Sequence, residues 1–360
     1  LGDGDIFADN TGVNIPFLPY PGSDLSPVWN PEAFFNTIVV NGSTWPVLDV
    51  APERYRFRIL NAADSQVLNL TLQAIEKKML TNGSVKEKVL GEVPFYQVGA
   101  DQSLLPQVVS IQTGFATRLP GDGRDVCTTG GGKPKAQGKK SADCVTAQPT
   151  TFAEQALLIA SGERADVVVD FGKLPDDANV VRMVNTAPDA PFGGFPDVPA
   201  DPLTTGQVMQ FVIDASLANP AGDPSTPPPS LVLDSDPGGE PKLGTYDDVQ
   251  DLALLETEST HICVDVDPVS GVIELVEDSL PPSCENGGSP FAPVAVLAGI
   301  DGSSGGTAQL WDEPVTTNPA FGSVEAWHLW NRSADAHVIH LHSVMFQVIY
   351  RYDLITGITL

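Results

Sequence analysis

Basic residues are scarce in this chain. Lys and Arg number 19 against 46 Asp and Glu, a net charge of −27 over 360 residues. Phosphate contacts require Lys and Arg, so a nucleic-acid partner is not expected. The excess of acid reads first as solubility or adaptation to a salty habitat, and second as a field that draws in cationic small molecules or metal ions. No apolar run is long enough to cross a membrane as a helix, and no leader segment is visible, so no membrane span is expected. Sustained helical periodicity is nearly absent, and only Asp251 to Glu258 suggests a helical turn or two. Cysteines number four and histidines five.

Turn formers are abundant. The 33 glycines and 32 prolines recur in clusters between short apolar runs. That pattern predicts an all-β chain of many short strands, and the length is enough for two domains with full cores. The first domain is expected over 34–216. It carries an insert from about Gly121 to Pro149, rich in Gly and Lys, that reads as a surface loop. A Pro-rich linker follows over 217–250, with Asn219 to Pro241 extended and semi-rigid. The second domain is expected over 251–360, with an acidic, loop-like insert from Val264 to Pro290.

Cys127 and Cys144 bracket the first insert, and Cys263 and Cys284 the second. Each pair can close a loop, which would stabilise by roughly 3 kcal/mol and suits an oxidising compartment; four free thiols are the alternative. Arg54, Arg56 and Arg58 alternate with Tyr55, Phe57 and Ile59, a period of two that predicts a strand with one apolar and one polar face. The arginines are expected in surface and domain-interface ion pairs rather than at a substrate.

Three of the five histidines fall in six residues, His337-Val338-Ile339-His340-Leu341-His342. Imidazole is the commonest protein ligand for copper, zinc and iron. Val338 to Val348 is rich in β-branched and aromatic residues and reads as a strand, which places His340 and His342 on one face and His337 on the other. One short segment could then feed two metal centres. His328, between Trp327 and Trp330, is expected to be a packed strand residue, and His261 a loop histidine.

The pattern His-x-x-His-x-His resembles the third copper motif of the multicopper oxidases, a family that includes laccases and bilirubin oxidase. The flanks Asn331 to Ala336 and Ser343 to Val348 resemble bacterial members, although Val338 stands where the family usually has proline. Asn41 to Pro46, Pro52 to Ala62 and Gly162 to Phe171 resemble stretches of the family's second domain. The resemblance implies tandem cupredoxin-like Greek-key β-sandwiches, the last one truncated, with 1–33 as a connector from a missing N-terminal domain. It implies copper as cofactor: His337 on type 1 copper, His340 on type 2, and His342 on one ion of a binuclear type 3 pair. It also implies the activity, one-electron oxidation of a phenolic, aromatic-amine or metal-ion donor coupled to four-electron reduction of O₂ to water.

The family's other copper motifs are absent. No second His-x-His pair is present, and no cysteine sits in a His-Cys-His run; Cys263 comes closest, two residues after His261. A blue copper site needs a thiolate beside two imidazoles. The chain is therefore expected to be incomplete alone, with further segments or a partner chain supplying the remaining ligands. A copper-free structural protein and a copper-binding module without turnover are the competing readings. The expected location is periplasmic, cell-surface or secreted.

Overall fold

The computed structural model describes residues 34, 36–112, 157–192, 199–233, 246–257, 262–266, 269, 273–277, 289–290, 295–310, 312–333, 335–344 and 346, together with the strand backbones 125–127 and 144–146. The chain divides into two compact units, one of Asn36–Pro237 with Val338–Leu360, the other of Leu1–Phe35 with Gly238–His337.

The first of these units carries, in chain order, β1 (Val39–Val40), β2 (Ser43–Thr44), β3 (Val47–Val50), β4 (Arg54–Leu60), β5 (Leu68–Met79), β6 (Val85–Val93), β7 (Phe95–Ala100), β8 (Ser103–Ile111), β9 (Asp125–Cys127), β10 (Cys144–Thr146), β11 (Leu157–Ile159), β12 (Arg164–Asp170), β13 (Val180–Asn185) and β14 (Gln207–Ile213). One sheet runs β11-β5-β13-β14-β3 with β6 added beside β5, and the other runs β4-β12-β7-β8. The two sheets share one core. Leu70, Leu72, Val181 and Phe211 from the first meet Phe95, Val167 and Val169 from the second, all essentially inaccessible to water.

Strand alternation accounts for this. In β12, Ala165, Val167 and Val169 are buried while Arg164, Asp166 and Val168 are half-buried. In β4, Tyr55, Phe57 and Ile59 pack against the core, and Phe57 joins Phe171 and Phe211 in an aromatic cluster. The outward arginines pair with acids: Arg56 with Asp166 at 2.5 Å, and Arg54 with Asp170 at 3.6 Å and Asp223 at 3.0 Å. Arg54 also donates to Ser225 Oγ and to its carbonyl oxygen, at 2.8 and 2.7 Å. These bonds hold the start of the Pro-rich segment against β4. Asp223 is lowered to about 2, chiefly by the Ser225 hydroxyl, with backbone amides and Arg54 adding to the effect.

The second unit contains β15 (Asp248–Thr257), β16 (Ile262–Val266), β17 (Ile273–Glu277), β18 (Ser289–Pro290), β19 (Ala295–Ile300), β20 (Thr307–Ala308) and β21 (Glu325–Asn331). One sheet runs β20-β19-β15-β21, with β15 and β21 parallel; a smaller one runs β17-β16-β18. Gly302 sits where a Cβ would overlap the carbonyl oxygen of Leu252 and the ring of Trp330. Only glycine allows that turn to close over the sheet.

The architecture is all-β, as expected, and no helix among the described residues is long and apolar enough to cross a membrane. Several local expectations are corrected. Asp251 to Glu258 is not helical; its residues up to Thr257 lie in β15, paired on both sides by β19 and β21. Within the acidic insert from Val264 to Pro290, the described residues other than Val269, which lies in a turn, belong to the three-stranded sheet of β16, β17 and β18 rather than to a loop. The insert from Gly121 to Pro149 holds the paired strands β9 and β10, and its remainder lies outside the described residues. Val338 to Val348 was expected as a strand, yet its described residues, 338–344 and 346, form no strand pairing. His328 lies on β21 as expected but is exposed, not packed.

Candidate metal centre

The boundary between the compact units falls between His337 and Val338. His337 is therefore described within the unit of β15 and β21, and His340 and His342 within the unit of β4 and β12.

His337 follows the turn that ends β21. Asn331 organises this turn. Its Oδ1 accepts from the Ser333 amide at 3.0 Å and from Ser333 Oγ at 2.7 Å, and its Nδ2 donates to the Asp335 carbonyl at 2.6 Å. Short polar side chains bonding backbone two residues on are a standard way to fix such a turn. Ser333 Oγ then lies 2.5 Å from His337 Nε2. Glu256, near the end of β15, brings Oε1 to 3.3 Å from the same nitrogen. Both side chains are only 16% exposed, and Glu256 Oε1 is buried without a hydrogen bond among the described residues. Burial raises the Asp335 carboxyl above the ordinary aspartate range, and His337 opposes that rise.

His340 packs against β12. Arg164 Nη1 lies 3.1 Å from its Nδ1 and 3.5 Å from its Nε2. The same guanidinium nitrogen donates to the Gly162 carbonyl at 2.9 Å and sits 3.4 Å from Asp101 Oδ1. Arginine is an obligatory donor, so the imidazole nitrogen facing it presents a lone pair. His342 is exposed, and its ring meets that of His340 edge-on with centroids 4.8 Å apart. Gln102 Nε2 donates to the Leu341 carbonyl at 2.7 Å and ties this turn to the end of β7.

The donors suit copper in kind, since neutral imidazole is a good ligand for it. They do not suffice in number: among the described residues no three His, Cys, Asp or Glu side chains converge on one point. His340 also has a lone pair directed at Arg164, which a metal would have to displace. The four cysteines contribute no thiolate to the described residues. Cys263 is buried in a disulfide. Cys127 and Cys144 are directly opposite in the β9–β10 register. Their side chains, and Cys284 and His261 altogether, lie outside the described residues. Sequence reasoning did not find Glu256, Ser333 or Arg164 as neighbours of the motif. Only the Asn331-x-Ser333-x-Asp335 spacing carried a local hint, as a turn.

No family model matches the chain. Curated relatives match it over nearly its whole length. A laccase of Bacillus stratosphericus is 26% identical over 357 residues, 99% of this chain and 47% of the laccase. The multicopper oxidase LPR1 homolog 5 of Oryza sativa subsp. japonica is 26% identical over 89% of this chain and 34% of its own length. A laccase of Haloferax volcanii is also 26% identical, over 89% of this chain and 38% of its own. The chain thus spans between about a third and a half of the relatives it matches. The chain, with its His-x-x-His-x-His run, is thus similar along nearly its whole length to multicopper oxidases and laccases.

Proposed function

We propose that the chain is part of an enzyme that couples one-electron oxidation of a phenolic, aromatic-amine or metal-ion donor to four-electron reduction of O₂ to water. The observation that supports this most is the motif itself, carried within a similarity to laccases that extends along 99% of the chain. Copper, when bound, would supply the electron transfer and the oxygen chemistry. In this reading His337 holds the type 1 ion, His340 the type 2 ion and His342 one ion of the type 3 pair, with the remaining ligands from outside residues 1–360. Neutral imidazole is required for each, so metal loading fails in acid.

The chain's own residues have defined tasks. Ser333 holds His337 by one ring nitrogen, and the Glu256 carboxylate lies 3.3 Å from the same atom. Gln102 and Arg164 fix the turn bearing His340 and His342 on the second-domain scaffold. Our domain reading is a connector over 1–33, a second domain over 34–216, a linker over 217–250 and an incomplete third domain over 251–360. Disulfides Cys127–Cys144 and Cys263–Cys284, and a periplasmic, cell-surface or secreted location, belong to the same reading; an oxidising compartment is where such bonds persist.

The test is copper content and oxygen uptake of the complete native polypeptide, with phenolic, aromatic-amine, Fe(II) and Mn(II) donors. Copper with donor-dependent uptake supports the proposal. Copper without uptake identifies a binding module, and absence of copper a structural protein; either result overturns it.

A further inference from the structure

We propose that the hairpin of β5 and β6 is a docking element for an anionic lipid surface. Met79, Leu80 and Val85 enter the bilayer interface, and Lys78, Lys86 and Lys88 meet the lipid phosphates. The proposal stands apart from copper and from the oxidase reading.

The hairpin runs past its sheet. β13 pairs with β5 only as far as Val180 opposite Ile75. Asn179 closes that ladder by bonding both the amide and the carbonyl of Lys77, each at 2.9 Å. Beyond Lys77, β5 is paired with β6 alone. Every residue from 78 to 89 is exposed. A strand lying on a sandwich buries one of its two faces, so exposure of both marks a free ribbon. Its turn is well defined. The Gly83 amide donates to the Leu80 carbonyl at 2.9 Å and the Leu80 amide to the Ser84 carbonyl at 2.8 Å, with Gly83 at φ +82°.

The register sorts the side chains. Lys78 lies opposite Lys86, Glu76 opposite Lys88, Met79 opposite Val85 and Lys77 opposite Glu87. Alternation therefore places Lys78, Lys86 and Lys88 on one face with Glu76. Met79, Val85 and Val89 share the other face with the Lys77–Glu87 pair, 3.4 Å apart. Glu87 is also held by Arg182 at 3.0 Å, and Glu76 by Lys78. Lys86 and Lys88 make no ion pair among the described residues. Four lysines against two glutamates make 76–89 net positive in a chain of net charge −27. Like charges directly opposite on a ribbon repel. The Lys78–Lys86 pair thus costs the free hairpin stability that a bound anion restores.

Shape and charge together select the occupant. Met79 is 79% exposed, Val85 51%, Val89 46% and Leu80 42%. Four apolar side chains on a narrow ribbon fall short of the roughly 800 Å² that each side of a stable protein interface buries. A bilayer needs no matching surface. Apolar side chains sink to the acyl boundary while the long lysine stems reach back to the phosphates. Screening acts over about 8 Å at physiological salt. Three residues of strand project roughly 10 Å. The positive sign at the tip therefore weighs more in the encounter than the net charge of the chain.

The test is co-sedimentation of the complete native polypeptide with vesicles. One set is phosphatidylcholine alone; the other adds phosphatidylglycerol. Binding is expected to the mixed vesicles only and should weaken as salt rises. A lysine near an anionic leaflet strengthens binding about fivefold, so Lys78→Gln, Lys86→Gln and Lys88→Gln together should weaken it about a hundredfold. Arginine at the same three positions keeps the charge and should bind like the unaltered protein, which separates loss of charge from loss of fold. Met79→Ser with Leu80→Ser should weaken binding but leave its salt dependence. No binding to the mixed vesicles, equal binding to both sets, or undiminished binding by the glutamine variant overturns the proposal. Self-association that the glutamine variant abolishes, without vesicle binding, would assign the hairpin to a second copy of the chain and overturn it equally.

Discussion

Arg164→Met should strengthen Cu(II) binding by the 360-residue chain. In the structure Arg164 Nη1 lies 3.1 Å from His340 Nδ1, and the arginine side chain is 30% exposed. For copper to use that lone pair, a charge-assisted hydrogen bond worth about 1.5–3 kcal/mol must break, with exposure favouring the lower end. Two cations would then lie within a few ångströms of each other, an added repulsion that solvent screens. Taking about 1.5 kcal/mol as the sum, removal of the guanidinium should tighten binding about tenfold. Methionine keeps the unbranched stem along β12 but cannot donate. Cu(II) titration against a competing chelator reads the change, and the double variant with His340→Ala should lose the gain. An affinity unchanged by Arg164→Met, or a gain that survives His340→Ala, would show that Arg164 does not govern this donor.

Phe171→Ala should cost unit stability about 3–5 kcal/mol, since the ring is 1% exposed and packs on Tyr55, Phe57 and Phe211. Met79→Ala, at 79% exposure on the same unit, should stay within about 0.5 kcal/mol; urea unfolding followed by circular dichroism compares them. Asp223 has a folded value of about 2, below its ordinary 3.8, so its contribution is complete above about pH 4 and is lost as pH falls through about 2. Asp223→Asn should flatten the acid limb of the unfolding curve by about 1 kcal/mol, the surface position limiting the effect. Peptide mapping without reduction should recover Cys127 with Cys144 and Cys263 with Cys284; crossed pairs, or free thiols, would contradict the pairing.

The scaffold of the unit that contains Asn36–Pro237 was readable because its signals are local. The alternation of Arg54, Arg56 and Arg58 with Tyr55, Phe57 and Ile59 gives β4 directly, and the resemblance of Gly162 to Phe171 to a family strand falls on β12. The acidic insert was misread because its charges masked a clear alternation. In the sequence Ile262, Val264 and Val266 alternate with Cys263 and Asp265, and Ile273 and Leu275 flank Glu274; the two stretches pair as antiparallel β16 and β17. In β15, Leu252 and Leu255 mimic a helical spacing, and only pairing with the distant β19 and β21 decides otherwise. The histidine segment fails as a strand for a related reason. Its β-branched residues have the propensity but no partner strand among the described residues, and propensity without pairing does not make a sheet. The neighbours of the histidines were invisible in the sequence because Glu256 and Arg164 reach them from far along the chain.

The division of labour within the motif is the central claim, and paired substitutions in the complete native polypeptide test it most directly. Absorbance of the blue copper site and oxygen uptake are read together. His337→Ala should abolish the blue absorption while most of the other copper stays bound. His342→Ala should keep the blue absorption and lose oxygen reduction. Blue absorption that survives His337→Ala, or oxygen reduction that survives His342→Ala, would contradict the account.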